Sequence, residues 1–217
     1  MERPGHQSAY EKADRMENAH KLMRLVENAH TLGASRASIV PAGRIVVNDA
    51  LADLCRQPQC PNYGLSKSCP PHVAGPSELK KQLERRTHAL FFTLDVPAEM
   101  IDAASLPRSA ESRAIFRLLH EIAAGIEKAA IEAGFGDAQA YAGGSCKRIF
   151  CDDDDACRAL KGAGTCRYPQ YARPSMSGFG IDVARLFKTC GWEMRWVSPG
   201  HGGPPVPMAS ICGLVLV

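Results

Sequence analysis

The stretch "CRQPQCPNYGLSKSCPPH", residues 55–72, carries three cysteines, a histidine and four prolines, and hardly any side chain that could build a core. Proline stiffens such a loop and adds no donor, so what organises it is whatever Cys55, Cys60 and Cys69 hold. A second gathering follows at Cys146, Cys151, Cys157 and Cys166, while Cys190 and Cys212 stand alone. The start "MERPGHQSAYEKADR" lacks the apolar stretch of a secretory signal, and no apolar run approaches the ~18 residues of a membrane span. These features predict a cytoplasmic chain. There the thiol pools keep sulfurs reduced, and 217 residues need no disulfide staples. Metal binding or catalysis is the better reason for nine cysteines.

The spacings are Cys-x4-Cys-x8-Cys and Cys-x4-Cys-x5-Cys-x8-Cys. Structural zinc usually draws on two short pairs, because one turn must present both sulfurs to a small tetrahedral ion. Longer, uneven loops suit the larger body of a cubane iron–sulfur cluster. Pro61 follows Cys60, and Pro70 and Pro71 follow Cys69, as proline follows a ligand cysteine in bacterial ferredoxins. Gly64, Gly143 and Gly144 allow close backbone approach, so that neighbouring N–H groups can point at cluster sulfurs. Cys146, Cys151, Cys157 and Cys166 make a full ligand set for one [4Fe–4S] cluster. Cys55, Cys60 and Cys69 make three, which leaves one iron open to substrate or partner, as a catalytic zinc keeps an open position. Two alternatives stand beside this: His72 completes a Cys3His zinc site, or Cys190 or Cys212 arrives from elsewhere.

"CRQPQCPNYGLSKSCPPH" and "CRYPQYARPSMSGFGIDV" together resemble the two signature segments of a prokaryotic cysteine-rich family of predicted metal-binding proteins of unknown function. The residues carrying the resemblance are Cys55, Cys60, Tyr63, Gly64, Cys69, Pro70 and Pro71, then Cys166, Pro169, the run from Ala172 to Met176, and the run from Gly180 to Val183. It implies a metal or cluster protein without an established reaction. "CKRIFCDDDDAC" departs from it, with wider gaps than a Cys-x2-Cys pair and an acidic insertion.

Around these groups the chain reads as a single α/β domain over residues 1–217: a sandwich with a mixed sheet of about five or six strands flanked by helices, and two cysteine-rich loops, each between a strand and the following helix. Helices are expected over 8–31, with Met16, Ala19, Met23 and Val26 as its apolar face, over 75–86, over 109–133 and over 175–188. The third has Ile115, Leu118, Leu119, Ile122 and Ile126 at helical spacing and must pack on a sheet. Strands are expected as a hairpin over 37–49, and over 89–96, 137–144, 192–197 and 209–217, with a loop over 198–207. Composition adds that 45% hydrophobic and 23% charged residues suit a globular chain with a real core. A net charge of +3 does not imply nucleic acid.

Other features have plainer readings. Asp152 to Asp155 make a solvated acidic turn rather than a calcium loop, which needs alternating oxygen ligands. Ser175 is an N-cap candidate whose first turn could face an anion, with Arg173 adding positive charge. Asp182 is a helical carboxylate of no assigned role, and Cys190 and Cys212 read as buried inert thiols. His201 sits in a loop where it could donate a proton, and His20, His30, His88 and His120 lack ligand spacing. Lys80, Lys81, Arg85 and Arg86 form either a solvated helix flank or a docking face for an acidic electron donor. The expected activity is a small reductase, or a redox accessory passing low-potential electrons to a larger enzyme. The alternative is a zinc-stabilised scaffold or metal-handling protein without turnover. Its partner would be a redox protein or a small-molecule substrate.

Overall fold

A computed structural model describes residues 4–58, 60–101, 109–162, 164–194 and 207–217. Helix α1 (Pro4–Thr31) leads into strand β1 (Arg36–Pro41), a 3-10 turn (Ala42–Arg44) and the short helix α2 (Asp49–Asp53). Helix α3 (Gly75–Arg85), strand β2 (His88–Pro97), helix α4 (Ala110–Glu132) and strand β3 (Gln139–Ala142) follow. The chain then runs through α5 (Cys146–Phe150) and α6 (Val183–Thr189) to strand β4 (Met208–Leu216). Among the described residues no helix is long and apolar enough to cross a membrane.

The α/β architecture is as expected, but the sheet is not mixed. It has four strands in the order β1-β2-β4-β3, every neighbouring pair antiparallel. The expected hairpin over 37–49 fails because Ala42–Arg44 coil into a 3-10 turn, so β1 pairs with β2 instead. Val47 keeps only an isolated bridge to Ile181. Trp192 to Met194 are irregular rather than strand, and residues 195–206, including His201 and nearly all of the 198–207 loop, lie outside the described residues.

Alternation along the central strands divides the core into two layers, because successive side chains of a strand point to opposite faces. Leu90, Phe92 and Leu94 of β2, with Ala140, Ala142 and Val215, meet α1 and α4. Ala89, Phe91, Tyr141, Leu214 and Leu216 face the other way, onto Leu79 of α3 and Leu186 and Phe187 of α6. Helix α4 buries Leu119, Ile122 and Ile126 of the expected face, but Ile115 is half-buried and Leu118 is exposed, and Phe116 and Ala123 take core places instead. In α1 the buried positions are instead Leu22, Leu25 and Ala29. Met16, Ala19 and Met23 are exposed, so the apolar stripe read from the sequence is rotated off the core.

Gly213 shows how closely the sheet is filled. A Cβ there would run into the Phe92 ring from one strand and stand 3.1 Å from the Tyr141 carbonyl of the other. Phe92 is fully buried and cannot swing aside. Gly213→Ala is therefore expected to cost about 1–3 kcal/mol by overpacking. Urea unfolding measures this, and an unchanged midpoint would contradict it.

Candidate metal centre

Asn48 caps α2 by accepting from the Ala50 N–H at 3.0 Å, and the helix hands the chain directly to the first cysteine group. The group thus follows a helix rather than the strand expected. Consecutive turns then coil the loop on itself: Cys55 N–H bonds Ala52 C=O, Cys60 N–H bonds Cys55 C=O, and Cys69 N–H bonds Ser66 C=O. Gly64 N–H closes the loop onto Pro70 C=O at 2.8 Å. Burial pushes the Cys55 thiol up to about 11, and the nearby Cys60 and Cys69 push it in the same direction. Burial also raises the Cys69 thiol, while the Ser145 and Ser66 hydroxyls oppose the rise. Cys60 also pushes Cys69 up, and so does Cys157 of the second group. His72 has an exposed side chain.

The second group begins four residues beyond the end of β3, at the strand's carboxyl end as expected. Cys146 opens α5, Cys151 follows its last turn, and Cys157 precedes a 3-10 turn at Arg158–Leu160. All four cysteines of this group, Cys146, Cys151, Cys157 and Cys166, line a single cavity. Lys147, Asp154, Arg158 and Arg167 complete its wall. Lys147 is buried, and its Nζ donates to Cys151 C=O at 2.5 Å. Burial pushes the Cys146 thiol up to about 11, against the hydroxyls of Ser68 and Ser66, and Cys69 and Cys166 add to the push. Burial raises Cys151, and Asp154 and Cys166 reinforce it. Thiols shifted this way are protonated at neutral pH, so a metal entering the site displaces protons.

The acidic run is largely matched by arginines, and Asp154 turns into the cavity wall while its neighbours face outward. Asp154 accepts two hydrogen bonds from Arg167, at 3.0 and 3.1 Å, and Asp152 pairs with Arg148 and Arg113. Asp153 and Asp155 are exposed. The solvated acidic turn expected from the sequence forms except at Asp154, which Arg167 holds against the cavity. Lys80 pairs with Asp49, Lys81 with Glu78 and Arg86 with Asp137, so most of that basic run is engaged within the chain.

The "YARPSMSGFGIDV" segment is scaffold. Its expected helix from Ser175 begins instead at Val183, and the cap is Asp182, whose side chain accepts from the Arg185 N–H at 3.0 Å. Before it, Ser177–Phe179 form a 3-10 turn and Gly180 is left-handed at φ 68°. The Asn48 carbonyl occupies the place where a Cβ on Gly180 would sit, so only glycine lets this turn close on α2. Residues 174–176 zip along β3, with Ala142 N–H to Pro174 C=O at 3.0 Å and Met176 N–H to Ala142 C=O at 3.3 Å. Ser175 N–H reaches Ser68 C=O at 2.9 Å, tying the first cysteine loop to the same edge. Arg173 adds no charge to a helix start. It pairs with Glu127 at 2.6 Å and donates to the carbonyls of Pro169, Gln170 and Ala172.

The arrangement gives the donors two characters. All nine cysteines are unpaired. Among the described residues no three His, Cys, Asp or Glu side chains stand close enough together to hold one metal ion. That includes Cys55, Cys60, Cys69 and His72, which the structure does not draw into a closed set. Cys190 lies against Ser38 and Arg36, and Cys212 lies in β4 opposite Thr93, where burial pushes its thiol up to about 12. The second group's four sulfurs surround a space, with cationic side chains in the wall that suit an anionic thiolate centre. Several residues around it carry no motif in the sequence: Lys147, Ser66, Ser68, Ser145, Glu127 and His120. Only their neighbours in space give them meaning.

A sequence family described as predicted metal-binding protein (DUF2284) matches residues 38–217. The match takes in both cysteine groups and leaves α1 outside. No curated protein and no solved structure matches the chain.

Proposed function

Because the chain belongs to this family of predicted metal-binding proteins, we propose that it is an iron–sulfur protein with two [4Fe–4S] centres that acts in low-potential electron transfer or reduction. Cys146, Cys151, Cys157 and Cys166 would hold one cluster. Cys55, Cys60 and Cys69 would hold the other, with one iron open to a substrate or a redox partner. The observation that carries this reading is that all four sulfurs of the second group line one cavity, at loop spacings suited to a body larger than a single ion. A tetrahedral zinc with Zn–S near ~2.3 Å draws its sulfurs into close mutual contact. A cubane separates them around a larger body. Such a cluster supplies one-electron chemistry at low potential. The chain's own part is to bind, bury and electrically balance it, with Lys147 and Arg158 offsetting its negative charge while Arg167 is held by Asp154 of the same wall.

Anaerobic purification tests the proposal. A brown protein with about eight iron and about eight acid-labile sulfide per chain is expected, on four of each per cluster. Cys146→Ala is expected to halve that content, while Cys190→Ala and His72→Ala leave it unchanged. A colourless protein carrying zinc would replace this reading with a structural or metal-handling one.

A further inference from the structure

Three buried serines lie between the two cysteine groups. Ser66 is 0%, Ser145 1% and Ser68 8% exposed. Ser68 Oγ–H donates to Cys146 Sγ at 2.8 Å, Cys69 Sγ–H donates to Ser145 Oγ at 3.3 Å, and the Ser66 and Ser68 hydroxyls stand 3.2 Å apart. Ser66 reaches the sulfurs through Ser68, whose hydroxyl it meets. The backbone holds this cluster in place through Ser175 N–H to Ser68 C=O and Cys69 N–H to Ser66 C=O.

Burying a hydroxyl costs free energy unless it is well bonded, and a neutral thiol is a weak acceptor. A sulfur carrying negative charge is a strong one, because hydrogen bonds to ionised acceptors are roughly twice as strong as neutral ones. The placement of the Ser68 and Ser145 hydroxyls against two sulfurs is therefore matched to Cys69 and Cys146 as metal-bound thiolates. In that state Ser145 turns from acceptor to donor toward Cys69. Hydrogen bonds to cluster sulfurs are also a recognised control on reduction potential.

From this geometry we infer that Ser68 and Ser145 form a hydroxyl bridge between the two metal centres, Ser68 of the first cysteine loop bonding Cys146 and Ser145 beside the second group bonding Cys69, with Ser66 orienting Ser68. They are positioning residues, acting through the sulfurs. The iron–sulfur form of the inference rests on the function proposed above, whereas the bridge itself requires only that both sulfurs bind metal.

The test compares Ser66→Ala, Ser68→Ala and Ser145→Ala in the full chain, with circular dichroism confirming that each folds. In anaerobic redox titrations of the iron-loaded protein, S68A is expected to lower the midpoint potential of the Cys146 centre and S145A that of the Cys69 centre. S66A is expected to lower the potential of the Cys146 centre by less than S68A does and to leave the Cys69 centre unchanged, and Ser68→Thr to restore the first. The same variants titrated with cobalt(II) provide a readout independent of iron: the thiolate-to-cobalt absorption bands shift at the Cys146 centre for S68A and at the Cys69 centre for S145A. If the wild type assembles no cluster but the cobalt pattern holds, the electron-transfer reading fails and the bridge stands. If S68A or S145A folds and leaves its centre at the wild-type potential and band position, the bridge is wrong.

Discussion

Arg173→Ala is expected to destabilise the protein by about 3–5 kcal/mol, the largest loss among single polar substitutions around the second cysteine group. The guanidinium stands 2.6 Å from Glu127, and the two side chains are only 13% and 17% exposed. Removing one partner of so enclosed a pair strands the other charge. Glu127 keeps a single backbone partner, the Ala140 N–H of β3 at 2.6 Å. The carbonyls of Pro169, Gln170 and Ala172 lose their shared donor at the same time. Arg173→Lys is expected to recover little of this, because an ammonium cannot place donors on a carboxylate and three carbonyls in one plane. The double variant Arg173→Met with Glu127→Gln is expected to be more stable than Arg173→Ala alone, since it leaves no unpaired buried charge. Urea unfolding of the four proteins decides it, and a loss of under about 1 kcal/mol in Arg173→Ala would show the pair to be solvated rather than buried. The loop at stake carries Cys166, so the loss of Arg173 is also expected to lower metal retention.

That dependence explains why the fold was partly legible in the sequence and the site less so. Helix α4 and strand β2 declare themselves because burial follows a local period: Leu119, Ile122 and Ile126 along one helical face, and alternate residues from Ala89 to Leu94 on two strand faces. Ile45 to Val47 have the composition of a strand but form none, since a strand needs an edge to pair with and the turn at Ala42–Arg44 carries them away from β1. Ser175 and Asp182 are both good caps by type. The left-handed Gly180, closing on Asn48, decides for Asp182, and that contact is tertiary. Strand direction is hidden in the sequence for a similar reason. Helices between strands suggest parallel neighbours, and β2 and β3 on either side of α4 do run parallel, but β4 enters between them antiparallel to both, so no adjacent pair is parallel. At the site, thiols in a reduced chain announce metal chemistry by their type alone. Glu127, Lys147 and the three serines are ordinary residues until the fold sets them beside sulfur or Arg173.

Acid is expected to weaken the fold well above the pH at which its carboxylates protonate, and the group responsible is His120. Its ring is wholly buried, edge-on to Phe150, with Nε2 3.2 Å from the Gly143 carbonyl and Nδ1 accepting the Arg173 N–H at 3.1 Å. Those partners assign the neutral tautomer: Nε2–H donates and Nδ1 accepts. A second proton on Nδ1 would face an N–H donor in an apolar setting. Burial accordingly pushes the imidazole down to about 4, the nearby Arg173 charge adding to the effect and the backbone partners opposing it. In the unfolded chain the same ring titrates near ~6.5, so between about pH 6.5 and 4 the unfolded state binds more protons. This contribution to stability is complete above that window and is lost as pH falls through it. The depression corresponds to about 3 kcal/mol, of which about 2 kcal/mol is gone by pH 5. His120→Gln is expected to be less stable at pH 7 but nearly flat between pH 7 and 5, where most carboxylates remain ionised. Urea unfolding across that range measures both proteins, and an NMR titration in which His120 moves near pH 6.5 would refute the account. The imidazole holds Gly143, just before Cys146, and Arg173, just after Cys166, so both ends of the second cysteine group are pinned to one ring. Protonating it breaks the Arg173 bond while Nε2–H keeps Gly143, so the Cys166 side of the loop loosens, and acid is expected to strip metal from this centre in step with the loss of stability.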